Sequence, residues 1–303
     1  MYKQPILIDT DPGVDDFFCL AIGCGLQDHF DLKAVTTMGG NNTTDVTTRN
    51  ALDILKLFGR DDVPVAKGSD SFLTRPFGKP AEAFHGKNGL GNVEIPHSDR
   101  KPDPLPAWDK IYETAVACGG DLILVPVAPY TNIARALQAH PDLPKYVKKI
   151  VLMGGSIKEG NITPYAEANA FNDAPATDIV FRSGIPIDMV GLNVTNHTPL
   201  TRAEFDAMSE DMEPAVREVM QKLIDFRKKD CLHDAIAISS LVDERFITWK
   251  EAALSMELHN PITYGRTVAD FDADRKNARV AVASDVSVYR EIFGKMAASF
   301  SKR

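Results

Sequence analysis

The sequence has no run of five or more basic residues, and its formal net charge at neutral pH is −8. Phosphate backbones are held by clustered Lys and Arg, so a nucleic-acid partner is excluded on charge alone. Uninterrupted apolar stretches are also missing: none approaches the roughly 20 residues that a membrane span requires. Met1-Tyr2-Lys3-Gln4 leads into a strand-like segment with no apolar signal region before it. Cysteine is scarce, with Cys19, Cys24, Cys118 and Cys231 showing no CxxC spacing, which suits reduced thiols in a cytoplasmic protein better than a disulfide framework. On that reading the sequons at Asn42, Asn161, Asn193 and Asn196 carry no glycan. Internal repeats, low-complexity tracts and long linkers are absent too, so residues 1–303 read as one domain.

Short, β-branched apolar runs are present, and they alternate with amphipathic stretches. The runs are Pro5–Asp9, Leu32–Thr37, Val63–Ala66, Asp121–Val127, Lys149–Met153 and Pro186–Val190. Helical patterns fall at Asp15–Gln27, Asp45–Phe58, Ala107–Cys118, Asn132–Gln138 and Ala174–Arg182. Continuously apolar strands separated by helices predict an α/β fold with a mainly parallel, doubly wound (Rossmann-like) sheet covered on both faces. The last third differs. Helices are expected over Thr201–Val242, including a charged amphipathic stretch at Glu213–Lys229, as a C-terminal helical elaboration. Short strands at Ala253–His259, Thr267–Asp270 and Arg279–Ala283 and a helix near Val286–Phe300 close the chain.

Open parallel sheets bind ligands beyond the carboxyl ends of their strands. The first strand delivers Asp9, Asp11, Asp15 and Asp16 there, around a tight turn at Pro12-Gly13. Four carboxylates this close repel one another, and a hard divalent cation with oxygen ligands compensates them. A single Asp at a helix start ordinarily caps it by accepting backbone N–H bonds, and one or two of the four can do only that. An EF-hand fits poorly, because counting along its loop from Asp9 puts Leu20 where the bidentate Glu belongs. A phosphatase of the haloacid-dehalogenase type, with Asp9 as nucleophile, is a better rival, although Gly13 stands where that pattern has Thr or Val.

The other strand ends narrow the choice. They read Met38-Gly39-Gly40-Asn41-Asn42, Val125-Pro126-Val127-Ala128-Pro129, Met153-Gly154-Gly155 and Gly191-Leu192-Asn193. None has the spacing of a P-loop or dinucleotide fingerprint, and no Lys or Arg adjoins them. Glycines, amides and bare carbonyls suit hydroxyl groups, as on a neutral sugar.

With those segments in view, Asp9-Thr10-Asp11-Pro12-Gly13-Val14-Asp15-Asp16 resembles the N-terminal signature of the inosine–uridine-preferring nucleoside hydrolases. The resemblance continues in order through Thr48-Arg49-Asn50-Ala51, His85-Gly86, Thr131-Asn132-Ile133-Ala134, Val151–Gly155, Ala166-Glu167-Ala168-Asn169 and His233-Asp234. It implies calcium-dependent hydrolysis of the N-glycosidic bond of ribonucleosides, in a homo-oligomer (dimer or tetramer) serving nucleoside salvage. On matching positions it implies Asp11 as general base and metal ligand. Asp16, Asp234 and the Val127 carbonyl would be the further Ca²⁺ ligands. Asp15, Asn161, Glu167 and Asn169 would bind the ribose, with Met153 packed near it. Asn41 would position the water, His233 would assist the leaving base, and His85 would lie on the nucleobase side.

The residue types suit that chemistry. Cleavage develops oxocarbenium character on the ribose, which carboxylates stabilise, and a His near its ordinary pKa can serve the departing base. The remaining histidines (His29, His97, His140, His197, His259) read as surface or satisfied residues. The chain departs from the family pattern at Ala168, where the family has Phe. Phe171 and Tyr165 are the nearby aromatics able to replace it, and a binding protein without turnover is the further alternative this change suggests. A milder departure lies at Asn172-Asp173-Ala174-Pro175-Ala176, a helix start.

Overall fold

The computed structural model describes residues 3–227 and 229–301, so Met1, Tyr2 and Lys228, which figure in the sequence reading, lie outside it. Among the described residues nine strands form one sheet: β1 (Gln4–Thr10), β2 (Phe30–Thr37), β3 (Val65–Lys67), β4 (Leu122–Pro126), β5 (Val147–Met153), β6 (Ile187–Val190), β7 (Ile247–Met256), β8 (Thr267–Asp270) and β9 (Ala278–Ser284). Its order is β3-β2-β1-β4-β5-β6-β9-β7-β8, parallel from β3 to β9, with β7 and β8 added as an antiparallel hairpin. The helices are α1 (Val14–Gly25), α2 (Thr44–Leu57), α3 (Glu82–His85), α4 (Ala107–Ala117), α5 (Thr131–Ala139), α6 (Ala168–Asn172), α7 (Ala174–Phe181) and α8 (Leu192–Thr195). The C-terminal third adds α9 (Arg202–Met208), α10 (Pro214–Phe226), α11 (His233–Ser239) and α12 (Val286–Ser299).

The expected α/β architecture is present. Along β1, Ile6 and Ile8 join one apolar cluster while Leu7 joins the other, so the strand is buried on both faces. This is why it reads as a continuous apolar run instead of an alternating one. Phe18 of α1 is fully buried in the larger cluster, in contact with the rings of Phe17, Phe205 and Phe293. Phe18→Ala is expected to cost about 3–5 kcal/mol of stability through the cavity it leaves. A lowered urea midpoint at unchanged slope would report it.

Two expectations need adjustment. The strand expected at Ala253–His259 begins earlier, at Ile247. Its first half was hidden because Thr248, Lys250 and Glu251 face outward and interrupt the apolar pattern. The helical stretch Thr201–Val242 is three helices, α9, α10 and α11, which turn corners between them. Among the described residues no helix is long and apolar enough to cross a membrane.

What matters for the site is the point where the winding reverses. From β1 the chain runs outward to β2 and β3, then returns to β4 on the other side and continues to β5 and β6. The carboxyl ends of β1 and β4 therefore flank a crevice at the switch point.

Candidate active site

Asp9 to Asp16 cross that crevice. Gly13 caps α1 with extended backbone, and its N–H donates to Asp16 Oδ2 at 3.0 Å. The other Asp16 oxygen accepts the Thr10 hydroxyl at 2.5 Å and the Asp11 N–H at 3.2 Å. Asp16 is thus a helix-start acceptor as the plain reading allowed, yet it is also part of a cluster. Helix α11 packs on α1 and brings Asp234 over, so that Asp15, Asp16 and Asp234 each offer an oxygen, all within 4.8 Å of one another. Asp11 lies beside them, with Oδ2 accepting the Asn41 N–H at 2.7 Å and Oδ1 buried without a partner.

These carboxylates are costly as they stand. Burial, then the charge of Asp16, pushes the Asp11 carboxyl well above its ordinary range. Burial, then the charge of Asp15, raises Asp16, and burial together with the charges of Asp15, Asp16 and Asp11 raises Asp234. The donor set fits a hard divalent cation: it is all oxygen and anionic, and it contains a buried oxygen with no hydrogen bond. The structure groups Asp15 with Asp16 and Asp234, as the acidic cluster read from the first strand implies, whereas the family resemblance assigns Asp15 to the ribose. The Val127 carbonyl, also named as a ligand, accepts the Asn169 amide at 3.0 Å and keeps a second lone pair.

Close backbone approach explains the glycines. A Cβ on Gly40 would fall 2.0 Å from Asp11 Oδ2, and one on Gly13 would fall 2.3 Å from His85 Nδ1. Asn41 directs its amide hydrogens to Asp16 Oδ2 (2.9 Å) and the Asp11 carbonyl (3.2 Å), which leaves its Oδ1 able to accept from a water. His85 is the last residue of the short helix α3. Its Nδ1 accepts the Val14 N–H at 3.1 Å, so the neutral ring carries its proton on Nε2. His233 opens α11 with Nδ1 2.8 Å from the Thr195 hydroxyl, and burial lowers its pKa.

On the other wall, Asn169 donates to the Val127 carbonyl and, at 3.3 Å, to the Met153 carbonyl, so its amide hydrogens are engaged and its Oδ1 is the atom left to accept. The Met153 sulfur is 3.6 Å from the same amide. Glu167 does a job that sequence reading missed: it is the N-cap of α6, accepting from Asn169 N, Ala170 N and Gly155 N at 2.8–3.0 Å. Asn161 Oδ1 accepts the Ala168 N–H, which leaves its amide hydrogens to donate. Of the two aromatics offered in place of the family Phe, Phe171 is packed against the Tyr264 ring and the Arg75 guanidinium. Tyr165 is exposed.

Asp9 is fully buried, its Oδ1 bonded by Thr36 (2.6 Å) and Asn132 (2.8 Å), and burial raises its pKa to about 7. Asp9 Oδ1 is thus taken up by two side chains from β2 and α5, which suits a residue that ties the strand ends together better than a phosphatase nucleophile. His97 and His140 meet Asp53 and Asp109, as satisfied residues do.

Residues 6–291 match the family described as inosine-uridine preferring nucleoside hydrolase. The chain is 37% identical over 279 residues to a pyrimidine-specific ribonucleoside hydrolase, RihA, of Photobacterium profundum, covering 88% of this chain and 89% of the relative. It is 36% identical over 292 residues to a non-specific ribonucleoside hydrolase, RihC, of Shigella dysenteriae serotype 1, covering 94% and 95%. The fold superposes on a purine-preferring ribonucleoside hydrolase from Gardnerella vaginalis with a TM-score of 0.91 at 33% identity, over 97% of this chain and 98% of that one. A family match over nearly the whole length, on top of a carboxylate cluster at the switch point of the sheet, leaves one conclusion: the chain is an enzyme belonging to the inosine–uridine-preferring nucleoside hydrolase family.

Proposed function

We propose that the protein hydrolyses the N-glycosidic bond of ribonucleosides, purine or pyrimidine, to ribose and free base, with Ca²⁺ as its cofactor. The observation that carries this reading is the buried Asp11 Oδ1, without a hydrogen bond, beside the Asp15, Asp16 and Asp234 cluster. Asp11, Asp16, Asp234 and the Val127 carbonyl would hold the cation, with Asp15 at its border with the sugar. When bound, the cation supplies positive charge that offsets the carboxylates and polarises water.

Asp11 accepts a proton from the attacking water at Oδ1, while the Asn41 N–H keeps Oδ2 in place. The Asn41 side-chain oxygen orients the same water. Asp15, the Asn169 Oδ1 and the Asn161 amide hold the ribose hydroxyls, and Glu167 contributes a lone pair left over from its capping role. Met153 packs below the sugar. Negative charge around the ring favours its oxocarbenium character as the bond to the base breaks and the electron pair leaves with the base. His233, its Nδ1 held by the Thr195 hydroxyl, would hand a proton to the departing base from Nε2, and His85, its Nδ1 held by the Val14 N–H, would lie on the nucleobase side.

Relatives named pyrimidine-specific, non-specific and purine-preferring surround the chain, so its base preference is read from a kinetic panel. Incubation with inosine, uridine and cytidine in the presence of calcium is expected to release reducing sugar from at least one of them. Release from none, with binding retained, would establish a nucleoside-binding protein instead. A homo-oligomer in the cytoplasm, serving nucleoside salvage, completes the reading, and light scattering of the purified protein tests the assembly.

A further inference from the structure

The helix that carries Asn169 is too short to hold itself. Helix α6 has only five residues, and an isolated turn of that length does not form in water because nucleation is unfavourable. Its N-terminal end is fixed by the Glu167 cap and by the Asn169 bonds to Val127 and Met153. Its C-terminal carbonyls are met by a residue from far away in the chain. Arg75 donates through Nη2 to the Asn172 carbonyl (2.6 Å) and the Phe171 carbonyl (3.1 Å), and through Nε to Asn172 (3.1 Å). Its guanidinium also lies 5.4 Å from the ring centroids of both Phe171 and Phe72.

The loop that presents Arg75 is itself tied to the site. The Ser69 N–H donates to Asn132, which also bonds Asp9, and Phe72 is buried against Met38 and Ala128 at the ends of β2 and β4. The Leu73 N–H donates to Asp173 Oδ2, and that oxygen also accepts the Thr131 hydroxyl at the start of α5. A planar fork that bridges two carbonyls while stacking on two rings is a task for Arg and not for Lys.

We propose that Arg75 is a positioning residue for substrate binding: it fixes α6 from its carboxyl end, and so sets where Asn169 and Glu167 meet the ribose hydroxyls. This rests on the proposed ribose role of those two residues. Arg75 reaches no reacting atom, so its loss affects the binding of the sugar and not the proton transfer at Asp11.

The test compares wild type with Arg75→Ala and Arg75→Lys on the best substrate of the panel. The expected result is a KM raised about tenfold with kcat within about threefold, and no recovery in Arg75→Lys. Wild-type KM in both variants would overturn the proposal, as would a fall in kcat at constant KM, or full recovery by Lys. If Arg75→Ala melts below assay temperature, Arg75→Lys, which retains charge and stem, gives the same readings. Titration calorimetry with D-ribose is an arm that does not require turnover. Binding weakened about tenfold in Arg75→Lys supports the role, and equal affinity overturns it. Absence of hydrolysis by the wild type would refute the proposed reaction, while the ribose titration would still decide on Arg75.

Discussion

Asp11→Asn is expected to fold normally and to lose about 10²–10⁴-fold in kcat. The two ends of the carboxylate have separate jobs. Oδ2 accepts the Asn41 N–H, a bond that the amide oxygen of Asn preserves, so the backbone around Gly40 stays in place. Oδ1 is the buried atom without a partner, and the substitution turns it into an NH₂ that cannot take a proton. The size of the loss follows from removing a general base while leaving the sugar ligands intact, so KM should move little. A second reading separates this from misfolding. Asp11 is raised by burial and by the charge of Asp16, so a neutral amide there relieves repulsion. Without added cation the variant should therefore melt at or above the wild-type temperature. Turnover within a few-fold of wild type would remove Asp11 as the base.

Half of this site could be read from the sequence because it lies in one stretch. Asp9 to Asp16 follow a strand buried on both faces, and the rule that ligands gather at strand carboxyl ends placed them without further information. Asp234 was different. Its closeness to Asp16 depends on α11 packing against α1, a contact between distant parts of the chain, and only the family resemblance suggested it. Glu167 shows a second kind of limit. Its oxygens serve three backbone N–H groups, one of them Gly155 from another strand end, and no local pattern reports such a cap. Arg75 shows a third. It is an exposed residue in a loop of ordinary composition, and its partners are carbonyls, which have no sequence identity. The same principle accounts for β7, whose outward polar residues masked a strand that the ladder with β9 makes plain. Local pattern reports burial. It does not report partners supplied by the rest of the chain.

Chelation with EGTA is expected to abolish turnover and to lower the melting temperature, and re-addition of Ca²⁺ to restore both. The physical reason is in the electrostatics of the donor set, where Asp11, Asp16 and Asp234 all have carboxyl pKa values raised by burial and by neighbouring carboxylates. A folded-state pKa above the ordinary 3.8 means that the folded form binds more protons than the unfolded one in the window just above that value. The chelated protein should therefore lose stability as pH rises from about 4 through the raised folded values, since each proton released leaves an uncompensated buried charge. Calcium competes with those protons and binds the ionised form, so its contribution should grow over the same window. At about a hundred times its Kd it adds about 2.7 kcal/mol, or roughly 4 °C in a chain of this size. Melting curves with EGTA and with calcium at three pH values give both slopes. Equal melting temperatures in the two series, or a gap that narrows as pH rises, would mean that protons and not a cation neutralise this cluster.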